Sequence, residues 1–272
     1  MSRDAQQDSA AAVPGGALDA VEVLLCDADG NLFPSEEPAF DASVQVTDAF
    51  LDSLGSDRRF TAEQLRLAAT GLNFRSVAQR LAAEAGVTAV DVEPWVVEEK
   101  RAVTEHLART LQPHAPTSAA LAAMAEHLTL AAVSSSALAR LAGCFTATGL
   151  DDLIPAERRF SAEDSLPTPT SKPDPAVYLH ACAQLGIAPE AGLAVEDSVP
   201  VALSAVAAGC PTLGNLLFVA PAEREQREAD LRAAGVLAVV SSWQEIADLL
   251  LPVLTERDSA ADDGLLSSGA AR

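Results

Sequence analysis

"VEVLLCDADGNLFPSEE", residues 21–37, decides how this chain is read. An apolar run to Cys26 breaks off in two aspartates, Asp27 and Asp29, and then Gly30. Burying an unpaired carboxylate is expensive. The acids therefore either mark a strand end at the surface or have chemical work to do. In an open α/β sheet, ligands bind at the carboxyl ends of the strands, and Gly30 permits a sharp turn there. Two adjacent carboxylates can divide labour, one ionised and one carrying a proton. They can also hold a hard cation such as Mg²⁺. An acidic turn after a strand is ordinary, so this stretch alone leaves both readings open.

Outward from it, the chain alternates short apolar runs with helical stretches. The runs are 21–26, 128–133, 193–195, 211–217 and 236–240. They are continuous rather than alternating, which suits strands buried on both faces of a parallel sheet. Pro175 opens a helix expected to stop at Gly186, and Pro200 one expected to stop at Gly209. This rhythm predicts an α/β doubly wound parallel sheet. It is interrupted once. Between Glu36 and Pro113 no strand-like run occurs, only helical stretches at 41–54, 61–70, 74–84 and 94–111. The expected layout is an α/β core at 19–35 and 114–254, with a small helical domain inserted at 36–113. An insertion at the end of the first strand overhangs the ligand crevice, so a lid is its expected role. The small, polar stretches 1–18 and 255–272 are expected to be disordered tails.

The 272 residues are 49% hydrophobic but only 4% aromatic, so the core must be built from Ala, Leu and Val. Net charge is −21, from 39 acidic and 18 basic residues. That sign argues against nucleic acid and against an anionic membrane surface. It also means that an anionic substrate would need local positive charge or a metal. The four cysteines (Cys26, Cys144, Cys182, Cys210) form no CxxC pair, and three lie in apolar or Ala-rich surroundings. Reduced core thiols in a cytoplasmic protein are expected. The start of the chain lacks a basic stretch and an apolar segment, so no signal peptide is expected. No apolar run approaches the ~20 residues of a membrane span. No protein partner is readable.

Three further stretches carry chemistry. The run 128–133 leads into Ser134, Ser135 and Ser136, hydroxyls that can bond an anion or cap the following helix. Lys172, one of only two lysines in the chain, is held between Ser171 and Pro173-Asp174-Pro175. A stiff lysine in so acidic a protein suits an anion clamp, or a charge balance for clustered acids, as well as a solvated loop. In "GLAVEDSVP", residues 192–200, a second apolar run ends in an acid pair, Glu196 and Asp197. Two strands of one parallel sheet, each ending in an acid pair, would bring four carboxylates together, which is unstable without protons or a cation, and Mg²⁺ suits them.

Taken together and in this order, Asp27-Ala28-Asp29-Gly30, Ser134, Lys172 and Glu196-Asp197 resemble the four motifs of the haloacid dehalogenase-like superfamily of phosphotransferases, over about residues 21–250. The helical insertion resembles the cap of the subfamily that includes phosphoglycolate phosphatases and β-phosphoglucomutases. The resemblance implies a Rossmann-like core and an Mg²⁺-dependent phosphatase acting on a small phosphorylated metabolite. It implies Asp27 as nucleophile, forming an aspartyl-phosphate, and Asp29 as general acid and then base. Ser134 would bond the phosphoryl oxygens, with Ser135 beside it, and Lys172 would balance charge. Asp27, the backbone carbonyl of Asp29, Asp197 and Glu196 would serve the metal. In the cap, Asn73 and Arg75 are candidate substrate contacts, Arg75 for a second anion. A solvated arginine at a helix start is the plainer reading of Arg75.

The chain departs from the family pattern at Asn31 (usually Thr), Pro34 (often an acid) and Val201 (usually Gly). Asp29 argues against a dehalogenase, in which that position is usually not Asp. A receiver domain would be much shorter, and a non-catalytic phosphate binder would be expected to have lost Asp27 or Asp29. A phosphomutase shares the same core and stays open as the alternative.

Overall fold

The computed structural model describes residues 13, 16–69, 73–87 and 89–269, with side chains as far as residue 260. Most of the expected first tail therefore lies outside the described residues. So do Thr70, Gly71 and Leu72, just before Asn73.

The chain falls into two compact units. Of the described residues, the first holds those up to 32, 114–138 and 150–269. Six strands form its sheet: β1 (Val23–Cys26), β2 (Thr129–Ser134), β3 (Arg159–Ser161), β4 (Gly192–Glu196), β5 (Thr212–Asn215) and β6 (Ala238–Val240). All are parallel, in the order β3-β2-β1-β4-β5-β6. Val23 of β1 pairs with Thr129 on one side and Gly192 on the other. The order reverses at β1, so the crevice between the ends of β1 and β4 is the switch point where such sheets bind ligands. The doubly wound α/β fold expected from the alternation is the fold observed.

The apolar runs form strands because helices cover them. Leu24, Leu25, Leu130, Val133 and Leu193 are fully buried, each burial stabilising by about 1.5–3 kcal/mol. On one face, α7 (Ala176–Leu185) and α8 (Val199–Ala207) set Val177, Tyr178, Ala181 and Ala205 against Leu25, Ala131, Val133 and Ala194. The helix α9 (Arg224–Ala233) adds Leu231 to a smaller cluster with Val236 and Val239. The helices α5 (Ala115–Ala125) and α10 (Trp243–Gly269) pack together. All four cysteines are buried free thiols.

The second unit holds residues 33–113 and 139–149. It contains α1 (Glu36–Ser53), α2 (Ala62–Ala68), α3 (Phe74–Glu84), α4 (Glu93–Thr110) and all but the first residue of α6 (Leu138–Thr148). Its own core gathers Phe50, Leu51, Leu65, Val77, Leu81 and Val92. Thr61 starts α2 with a reciprocal capping box to Gln64. Gly143 lets α6 approach α4, since a Cβ there would stand 3.2 Å from Ala108 Cβ.

Three elements differ from expectation. β3 was not foreseen, because its three residues contain a single apolar side chain, Phe160. The helix α1 begins at Glu36 rather than Asp41, since Pro38 falls in its first turn, where a proline displaces no intrahelical bond. The stretch expected to be a tail from residue 255 is helical as far as Gly269. There the Arg257 guanidinium donates to the carbonyls of Val21 (2.6 Å) and His127 (3.3 Å), and His127 Nδ1 meets Asp258 at 2.7 Å. These contacts reach far along the chain, so local composition carries no sign of them. Among the described residues no helix is long and apolar enough to cross a membrane.

Candidate active site

Asp27 follows β1 directly, and its backbone N–H donates to Val195 O of β4 at 3.0 Å. This aligns the ends of the two strands. The chain then turns tightly, with Leu32 N–H returning to Ala28 O at 3.0 Å. Gly30 is required in this turn for two reasons. Its φ is +75°, and a Cβ there would lie 2.3 Å from Asp197 Oδ2. The Asp197 carboxylate therefore lies directly against the turn that carries Asp29.

Asn31, the departure from threonine, is fully buried and fastens the turn. Its Nδ2 donates to Val195 O (2.7 Å) and Asp27 O (3.2 Å), and its Oδ1 accepts from Asn215 Nδ2 (2.9 Å). Trp243 Nε1 donates to Asn31 O at 3.1 Å. The asparagine side chain thus ties the turn to β4 and β5, and the backbone carbonyl of the same residue ties it to α10. Pro34 is exposed beside the buried Ser35, and Val201 sits half-buried in the first turn of α8.

Lys172 reaches the centre of the site from the loop before α7, and a cis peptide joins it to Pro173. Its Nζ donates to Asp27 Oδ1 at 2.7 Å, Val133 O at 2.8 Å and Tyr178 OH at 3.3 Å. Both Glu196 oxygens also face it, at 3.2 and 3.5 Å. The three charged groups are almost wholly buried. Burial pushes the Glu196 carboxyl well above the ordinary glutamate range; Lys172 opposes this, and Asp27 and Asp197 add to it. Burial likewise raises Asp27, against the pull of Lys172 and with help from Asp29. For Lys172, burial works to lower its value, but Asp27 and Glu196 outweigh it and hold it raised. One buried ammonium therefore faces two buried carboxyl groups, whose raised values favour proton uptake by one of them.

The three serines at the end of β2 make three different bonds. Ser134 Oγ accepts from Ser136 N–H at 3.0 Å, which leaves its own hydrogen available for an anion. Ser135 Oγ accepts from Lys172 N–H at 3.1 Å and so joins this loop to the lysine loop. Ser136 Oγ donates to Asp29 Oδ2 at 2.6 Å. Arg227 of α9 donates to Asp197 O at 2.8 Å. Of the residues singled out in the sequence, Asp27, Asp29, Ser134, Ser135, Lys172, Glu196 and Asp197 all belong to this one network or adjoin it. Asn73 and Arg75 belong to the second unit. There Asn73 Oδ1 accepts from Ser76 N–H as the cap of α3, and Arg75 pairs with Glu93. Tyr178, Asn215 and Arg227 escaped sequence reading. Ser136 stood out only as one of three hydroxyls that could bond an anion or cap a helix, and its bond to Asp29 was not foreseen.

A divalent cation can be tested against these donors. Among the described residues, no three His, Cys, Asp or Glu side chains converge as a ready-made cage. The oxygen-only donors Asp27 and Asp197, with a backbone carbonyl of the turn, match the way Mg²⁺ is bound, by one or two carboxylates plus water and phosphate oxygens. The Asp197 carboxylate nested against Gly30 and the buried carboxyl of Asp27 both fit such an ion.

The chain matches the haloacid dehalogenase-like hydrolase family over residues 21–209. No curated protein matches it. Among solved structures it is similar to a conserved haloacid dehalogenase-like protein of unknown function from Agrobacterium tumefaciens (24% identity, TM-score 0.64, covering 85% of this chain and 98% of that one). It is also similar to a HAD family hydrolase from Deinococcus radiodurans with bound phosphate and sodium (23%, 0.63, 86% and 97%). A third is a predicted phosphoglycolate phosphatase from Haemophilus somnus (20%, 0.63, 85% and 98%). At these identities the structures speak for the fold alone, while the family match spans most of the chain and all four clusters of site residues. The chain belongs to the haloacid dehalogenase-like hydrolases.

Proposed function

We propose that the chain is an Mg²⁺-dependent phosphatase that hydrolyses a small phosphomonoester through an aspartyl-phosphate on Asp27. The observation that carries this reading is the Lys172 Nζ–Asp27 Oδ1 bond of 2.7 Å at the end of β1. It holds a buried carboxylate beside a fixed positive charge and leaves Oδ2 as the attacking atom. The phosphate in the Deinococcus radiodurans structure supports an anion of this type.

In the first step Asp27 Oδ2 attacks phosphorus, the bond to the leaving oxygen breaks, and Asp29 gives that oxygen its proton. In the second, Asp29 takes a proton from water, whose oxygen attacks phosphorus, and the bond to Asp27 breaks. Inorganic phosphate leaves and Asp27 is an ionised carboxylate again. Ser134 O–H donates to a phosphoryl oxygen, and Lys172 offsets charge as it gathers there. Asp27, Asp197 and the Asp29 carbonyl would hold Mg²⁺, whose contribution when bound is to neutralise phosphoryl charge and let an anion approach carboxylates. The four buried free thiols support a reducing, cytoplasmic setting. Asn73 and Arg75 remain proposed contacts for the rest of the substrate.

The test is phosphate release from p-nitrophenyl phosphate and from a panel of sugar phosphates, phosphoglycolate and nucleotides, with Mg²⁺ and with excess chelator. Turnover should need Mg²⁺ and vanish in Asp27→Asn. No turnover of any ester by wild type, or survival of activity in Asp27→Asn, refutes the assignment. Conversion of β-glucose 1-phosphate to glucose 6-phosphate would make the enzyme a mutase instead.

A further inference from the structure

Asp29 must deliver a proton along one direction, and a carboxyl on a turn can rotate about its Cα–Cβ bond. The structure supplies a restraint that the four motifs do not include. Ser136 Oγ donates to Asp29 Oδ2 at 2.6 Å, a short hydroxyl–carboxyl hydrogen bond. Ser136 is itself fixed, because its backbone N–H is held by Ser134 Oγ at 3.0 Å. The loop just beyond is fixed as well, since Leu138 N–H donates to Asp164 Oδ2 at 2.7 Å. The same short segment therefore carries the hydroxyl aimed at the phosphoryl oxygens and the hydroxyl that grips the proton carrier.

We propose that Ser136 is a positioning residue for proton transfer to the leaving group, a role that rests on the phosphatase reading above. With Oδ2 occupied by the serine hydrogen, the transferable proton sits on Oδ1. That oxygen gives its hydrogen to the departing oxygen in the first step and takes one from water in the second. Ser136 keeps its own hydrogen throughout, so protons balance between Asp29, leaving group and water. Ser135 Oγ instead accepts from Lys172 N–H at 3.1 Å, on the lysine loop. The consequence is selective. A leaving group that departs readily as an anion needs little of this restraint, and one that must be protonated as it leaves needs all of it.

The experiment compares kcat/KM for a series of substituted phenyl phosphates of similar size, from p-nitrophenyl to unsubstituted phenyl, with Mg²⁺ present. Wild type, Ser136→Ala and Ser136→Thr are run side by side, with circular dichroism and thermal midpoints as a check on folding. General acid catalysis contributes roughly 10²–10⁴-fold, and partial misplacement forfeits part of it. Ser136→Ala should lose about 3-fold with p-nitrophenyl phosphate and about 30-fold with phenyl phosphate. The dependence on leaving-group basicity should therefore steepen, and Ser136→Thr should restore the wild-type slope. An equal loss across the series, which a merely structural role would give, overturns the proposal, as does an unchanged slope. A wild type that turns over none of the esters refutes the phosphatase reading itself and takes the proposal with it.

Discussion

Replacing Lys172 by methionine should unfold the first unit more readily, by an amount the geometry sets. The ammonium lies 2.7 Å from Asp27 and 3.2 Å from Glu196. At an effective dielectric of about 20 those distances correspond to gross attractions of about 6 and 5 kcal/mol, most of which only repays taking the ions out of water. Methionine fills the space but leaves two buried carboxylates no more than about 6 Å apart, repelling by about 3 kcal/mol at the same dielectric. Proton uptake by one of them limits the damage. Breaking a buried pair from one side typically costs about 3–5 kcal/mol, and that is the loss expected here. Adding Glu196→Gln to Lys172→Met should return about 2 kcal/mol, because it removes one of the two facing charges. Activity should stay lost in both. The measurement is equilibrium urea unfolding followed by the fluorescence of Trp243, buried in the first unit, in a Trp95→Phe background that silences the second unit. An unchanged slope with a lower midpoint would show that stability alone has moved. A loss below about 1 kcal/mol for Lys172→Met, or no recovery in the double variant, would refute the reading of Lys172 as the charge that holds two buried acids together.

Other outcomes follow from single contacts. Gly30→Ala should destabilise by about 1–3 kcal/mol, from its positive φ and the Cβ that would press on Asp197, and should raise the Mg²⁺ concentration needed for half-maximal turnover. Asn215→Leu strands the buried Oδ1 of Asn31 and should cost about 1–3 kcal/mol by urea unfolding, with a fall in kcat as the Asp27–Asn31 turn loosens. Leu24→Ala, at a fully buried position of β1, should cost about 2–5 kcal/mol without altering the Mg²⁺ dependence of what remains folded. Asp27→Asn should be folded yet inactive, since the amide removes a buried negative charge together with the nucleophile.

The strands with long apolar runs, and the acids that end two of them, were legible because burial on both faces writes itself into consecutive residues. Phe74–Glu84 was readable as a helix from its periodicity alone. What escaped was set by partners far along the chain. β3 is a strand because Ala132, Val133 and Ser134 pair with it, and its own residues carry little β signal. The end of α10 is held by Val21 and His127, and nothing in "TERDSAADDG" announces either. In the site, the acids, the lysine and the first serine stood out as charged or hydroxyl groups at the ends of apolar runs. Asn215, Tyr178 and Arg227 act by supporting those groups, and an asparagine ending one strand or an arginine on a polar helix looks like many others. The significance of Asn31 could be read only as a departure. The three bonds of its side chain explain why the departure is tolerated.

The central place of β1 also bears on when the site can exist as the chain is made. Asp27 emerges early, but β1 has no neighbour until Thr129–Ser134 arrives on one side and Gly192–Glu196 on the other. Lys172, Asp197 and Asn215 come later than most of the chain. A nascent polypeptide can therefore finish the helices of residues 33–113 while Asp27 is still an isolated side chain on an unpaired strand. Such non-local pairing is slow and closes late. Chemical competence is thus one of the last properties this chain acquires in synthesis, and a fragment ending before β4 has the aspartate without the site.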